Sequence, residues 1–115
     1  MPFVTFMAPD TYDPGCFPAL FAIEDRHFWF RARNRVIGAV ARRVSASLAP
    51  PYRVLEIGCG TGNVLRVLEQ VCPGAAVVVG MDLFAEGLQY ARRRTRCPLV
   101  RADLRRPPFG RTFDL

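Results

Sequence analysis

From Trp29 onward, apolar side chains return at Val36, Val40, Val44 and Leu48, with Arg31, Arg35, Arg42 and Arg43 between them. That spacing predicts an amphipathic helix over 24–48, closed by Pro50-Pro51, whose apolar stripe must pack on something. The period then changes. Residues 52–57 form a short β-prone run ended by Gly58, and after Gly62 the positions Val64, Leu65, Val67, Leu68 and Val71 make a helical face stopped by Pro73-Gly74. The same grammar repeats: a continuous apolar strand over 75–81 reaches Asp82, a helix over 83–94 carries Phe84, Leu88 and Ala91, and a third strand over 98–102 reaches Asp103. Residues 112–115 read as the start of a fourth strand.

Strands alternating with helices of this length imply parallel pairing, because a parallel connection needs a crossover of a dozen or more residues. The expected fold is α/β, a Rossmann-like doubly wound parallel sheet with three strands plus the start of a fourth, preceded by an N-terminal helix. Residues 1–23, rich in Pro and Phe with a turn at Asp13-Pro14-Gly15, are expected to be an irregular leader. The domain then runs over 24–115, with 52–115 as its strand–helix part.

Composition narrows the class. The 115 residues allow one domain, half of them are hydrophobic, and no apolar run approaches the roughly 20 residues of a membrane helix. A net charge of +6 comes from sixteen basic residues, all arginine, against ten acidic ones. So uniform a bias, beside abundant Ala, Gly and Pro, reads more as coding composition than as selected contacts, so the charge is only a weak pointer to an anionic partner, and a nucleic-acid partner is not the expectation. No basic residue precedes the first apolar stretch, so no secretory signal is expected. Cys16, Cys59, Cys72 and Cys97 are widely spaced with no C-x-x-C, which predicts reduced thiols in the cytoplasm and no metal site.

The chemistry concentrates in Val54-Leu-Glu-Ile-Gly-Cys-Gly-Thr-Gly-Asn-Val-Leu65. Glycines at 58, 60 and 62 free a strand-to-helix turn of side chains, so that backbone N–H groups can approach a ligand. A dinucleotide fingerprint would need a third glycine at 63, which is Asn63. Glu56, two residues before the first glycine, suits a cationic ammonium better than a pyrophosphate. Asp82 lies twenty residues after Gly62; dinucleotide folds place an acid at a similar interval, so this residue alone leaves an NAD(P)-binding reading open. His27, within an aromatic segment, reads as a capping or interface residue. Phe28, Trp29 and Phe30 read as packing anchors, and Arg92, Arg93, Arg94 and Arg96 as a solvated helix end.

Glu56-x-Gly58-x-Gly60-x-Gly62 resembles motif I of the class I S-adenosylmethionine-dependent methyltransferases, and the likeness extends over residues 24–115. It implies that Gly58, Cys59, Gly60 and Gly62 hold the methionine and ribose portion of S-adenosylmethionine, with Glu56 near its amino acid end. By the same resemblance Asp82, with Leu83 beside it, accepts hydrogen bonds from the ribose hydroxyls. Asp103 meets the adenine amino group and the backbone of Leu104 lies beside the ring. The expected function is methyl transfer to a small-molecule acceptor, with no catalytic residue assigned. Family domains have seven strands in the order 3-2-1-4-5-7-6, so the chain is expected to be the cofactor-binding half, marginal alone, and to self-associate or take a completing partner through an open sheet edge beside the first strand. A non-catalytic interaction module is the remaining alternative.

Overall fold

A computed structural model describes residues 12–115; the first eleven residues of the expected leader lie outside the described residues. A 3-10 turn over Pro14–Cys16 leads directly into helix α1 (Phe17–Ile23). The second half of the leader is therefore ordered, which corrects the irregular reading. Asp13-Pro14 acts as a helix start: Asp13 Oδ1 accepts the Gly15 N–H at 2.8 Å, and proline supplies a fixed φ in the first turn.

After a tight turn, α2 (Phe28–Ser45) begins four residues later than the sequence pattern suggests. His27 is its cap, with Nδ1 accepting the Trp29 N–H at 3.2 Å. Three parallel strands follow, β1 (Tyr52–Ile57), β2 (Ala75–Asp82) and β3 (Leu99–Arg101), joined by α3 (Asn63–Val71) and α4 (Ala85–Arg94). Their order is β1-β2-β3, with Val54 opposite Val78 and Met81 opposite Val100.

The core lies between the sheet and the helices, where Tyr52, Val54 and Val78 meet Leu65, Leu68 and Val71 of α3 and Ala41 of α2. Gly80 permits this approach, since a Cβ there would come 2.7 Å from Leu65 Cδ2 and 2.9 Å from Cys59 Sγ.

The packing face of α2 differs from the one its hydrophobic pattern suggests. Gly38, Ala41 and Ser45 are the buried residues of this helix, and a Cβ on Gly38 would sit 3.1 Å from Val67 Cγ1. Val36 and Val40 remain 64% and 58% exposed, and Val44 is also exposed. Small residues let two helices approach closely, so α2 meets α3 through its small face and leaves the valine stripe uncovered.

At the outer edge of β1, the Leu55 N–H donates to the Leu115 carbonyl at 2.8 Å and the Leu115 N–H to the Arg53 carbonyl at 3.3 Å. Asp114 adds a side-chain acceptor for the Arg53 N–H at 2.9 Å. This is a parallel pairing pattern. The outer edge of β1 therefore carries the expected start of a fourth strand, at Asp114 and Leu115, while Ile57, further along β1, stays 49% exposed.

Candidate cofactor site

Gly58, Gly60 and Gly62 all have positive φ, at 76°, 50° and 78°, the region that L side chains rarely adopt. The turn is fixed from below. The Gly58 and Cys59 N–H groups donate to the Met81 carbonyl at 2.7 and 3.0 Å. The Gly60 N–H donates to Asp82 Oδ2 at 2.8 Å, while Asp82 Oδ1 accepts the Phe84 N–H at 2.9 Å. Asp82 thus ties the glycine turn to the start of α4. A carboxylate offers about four lone-pair sites, so two remain for a ligand diol.

These strand ends open on one cleft of about 520 Å³, within the size range of ligand pockets. Gly58, Gly60, Asp82, Leu83, Asp103 and Leu104 all line it; six sequence-predicted residues from three separate loops meet there. Cys59 does not: its thiol sits in the core against Gly80, and burial pushes it up to about 12, so only its backbone belongs to the turn. Gly62 serves packing, since a Cβ would meet Ala91 Cα at 3.0 Å.

Glu56 is not among the residues that line the cleft. Both of its carboxylate oxygens are buried without a hydrogen-bond partner. Burial lifts its carboxyl to about 7, against the pull of Arg33 and with a further push from Asp82. Asp103 is the opposite case: Arg105 clasps its carboxylate, with Nε 3.0 Å from each oxygen, and holds the group down at about 2. It stays ionised throughout the neutral range.

Residues that the sequence reading set aside complete the site. Tyr12, Phe17 and Phe84 form one aromatic wall of the cleft, with ring centroids 5.4 to 6.1 Å apart. A Cβ on Gly87 would sit 2.9 Å from the Phe17 ring, so α1 is seated directly on α4 and the glycine turn. Arg94, taken from sequence as part of a solvated helix end, is buried, its side chain only 3% exposed. Its guanidinium donates to Thr61 Oγ1 at 2.9 Å, to the Thr61 carbonyl at 3.2 Å and to the Phe21 carbonyl at 3.0 Å. Thr61 in turn donates to Glu24 Oε1 at 2.7 Å. The Asp13-Pro14 helix start and the Phe17/Phe21 pair one turn apart were the local cues to α1; nothing local links Glu24 to Arg94. His27 and the aromatics Phe28 and Trp29 do not line the cleft; both aromatics are largely exposed and meet near neighbours along the chain, Phe28 stacking on His27 and Trp29 meeting Phe30 edge-on.

Comparison with known proteins agrees with this geometry. A family model described as a methyltransferase domain matches residues 54–115, more than half of the chain, and the chain belongs to that family, within the class I S-adenosylmethionine-dependent methyltransferases. The cofactor of this class is S-adenosylmethionine. A malonyl-[acyl-carrier protein] O-methyltransferase of Legionella pneumophila is 41% identical over 70 residues, covering 56% of this chain and 24% of that one. The crystal structure of Streptomyces venezuelae DesVI superposes with a TM-score of 0.62 at 23% identity, over 89% of this chain and 41% of that one. The plantazolicin methyltransferase BpumL, solved with a monoazolic desmethylPZN analogue and SAH, gives 0.53 at 19% identity, over 82% and 35%. The last two likenesses concern the fold. The chain spans about a quarter of the length of the curated relatives it matches.

Proposed function

We propose that this chain binds S-adenosylmethionine through Gly58, Gly60, Asp82, Leu83, Asp103 and Leu104 and serves as the cofactor-binding part of a methyltransferase acting on a small-molecule acceptor. The observation that carries this reading is the convergence of these six residues on one cleft. The chemistry of each fits: positive-φ glycines expose backbone donors, Asp82 keeps acceptor capacity for the ribose diol, and Asp103 stays charged to accept from an amine. The unpartnered Glu56 carboxylate is complemented by a cationic ammonium, directly or through water, which favours a methionine end over a pyrophosphate. Bound S-adenosylmethionine would supply a sulfonium methyl group; the contribution of these residues is to bind and orient it, and transfer in such a site depends on alignment. The aromatic wall of Tyr12, Phe17 and Phe84 keeps that side of the cleft apolar.

Isothermal calorimetry of the chain with S-adenosylmethionine, S-adenosylhomocysteine and NAD tests the reading. Heat from the first two and none from NAD is the expected result, and preferential binding of NAD would overturn it in favour of a dinucleotide site. A further part of the reading is a cytoplasmic location, supported by free thiols at all four cysteines; among the described residues no helix is long and apolar enough to cross a membrane.

A further inference from the structure

Between α2 and α3, on the side of α2 away from its valine stripe, runs a second groove of about 440 Å³. Its α2 wall is formed by Arg31, Arg35 and Arg42, on one stripe of the helix. All three are exposed, and none makes a side-chain hydrogen bond or ion pair within the described residues. The acids at one end of the groove are already engaged: Glu24 accepts from Thr61 at 2.7 Å and faces Arg94 at 3.5 Å, and Asp25 pairs with Arg66 at 2.6 Å. The groove therefore presents uncompensated positive charge above a floor that includes Ala39, Val67 and Val71.

We propose that this groove docks an acidic amphipathic helix of a partner protein, whose carboxylates pair with Arg31, Arg35 and Arg42 while its apolar side rests on Ala39, Val67 and Val71. Charge complementarity selects the sign, and the apolar floor selects a helix with an apolar face. At 1.5 Å rise per residue the three arginines are spaced by about 6 Å and then roughly 10 Å along α2. Acidic side chains at the same intervals on one face of a facing helix match them. A nucleic-acid strand fits less well, because no aromatic side chain lines the groove for base stacking. The inference rests on the groove and is independent of the cofactor reading.

The test is fluorescence anisotropy with the whole chain and a labelled helical peptide of about eighteen residues, leucine on one face and glutamate at matching intervals, at low salt. On the parent chain, replacing the peptide's glutamates by glutamine or its leucines by serine should each weaken binding about tenfold or more. The variant carrying Arg31→Gln, Arg35→Gln and Arg42→Gln should lose about tenfold or more, whereas Arg43→Gln, Arg106→Gln and Arg111→Gln together, equal in charge, should stay within about twofold. Equal loss from the two triple variants, binding indifferent to the peptide's glutamates or leucines, or no binding of the acidic peptide would overturn the proposal. So would tighter binding of an oligothymidylate that the groove triple abolishes. S-adenosylmethionine binding is expected to be unchanged in the groove triple.

Discussion

On the α4 side of α3, the glycine turn is bound to its surroundings at each step: Asp82 holds Gly60, Arg94 holds Thr61, and Phe17 closes over Gly60 and Gly87. On the α2 side the same helix meets a neighbour through glycine, alanine and serine, leaving Val36, Val40 and Val44 in solvent. Both flanks were built from apolar residues at helical spacing. The difference is what lies beneath. α4 has β2 and β3 under it, whereas beyond β1 only the pairing of Asp114 and Leu115 has begun. Amphipathicity records the surface a helix is suited to bury, and the partner that covers it is a separate matter.

Changes on the closed flank should be costly and changes on the open flank cheap. The largest effect is expected for Gly62→Val: a branched residue would be forced to a φ of 78° with its Cβ 3.0 Å from Ala91 Cα. Strain and overpacking together should cost roughly 3–5 kcal/mol. Urea denaturation reads this, and a loss under ~1 kcal/mol would mean the turn is far softer than its contacts indicate.

Glu56→Gln comes next and depends on pH. The carboxyl is raised from 4.5 to about 7 in the fold, so the folded chain retains a proton that the unfolded chain releases. Stability should fall as pH rises through that window, by up to about 3 kcal/mol. The glutamine variant should lack this slope and exceed the parent in stability at pH 8; parallel pH profiles would show that the carboxyl is not desolvated.

Asp82→Ala should weaken S-adenosylmethionine binding by roughly 1.5 to 3 kcal/mol, through lost ribose acceptors and a loosened turn. Parent-like affinity in calorimetry would place the ribose elsewhere. Asp103→Ala should have the smaller effect on binding and shift the preference among purine analogues, since its carboxylate is half-buried and shared with Arg105; equal loss for every analogue would make it a structural residue.

The smallest effect on folding belongs to the open flank. Val36→Lys with Val40→Lys should change stability by no more than about 0.5 kcal/mol and reduce light scattering at micromolar concentration, because the stripe and the exposed Ile57 are the surface on which we expect self-association or sheet completion. A cost above ~2 kcal/mol would show that the valines are covered after all, and unchanged scattering by a self-associating parent would place the contact elsewhere.

The sequence alone determined the alternation of strand and helix, because side-chain period and glycine or proline punctuation are local properties. For the same reason it located the turn at 58–62 and the acids at Asp82 and Asp103, each at the end of a strand. Tertiary structure decided what those groups face. Asp82 became an anchor for Gly60 because β2 runs beside β1, and Cys59 turned into the core because Gly80 leaves room for its sulfur. Arg94 was buried because Phe21, Glu24 and Thr61 surround it, contacts spanning as many as 73 residues of chain. The valine stripe of α2 stayed exposed because helix packing favoured its small face. Each of these outcomes depends on pairings between distant segments, whose energies no local pattern contains.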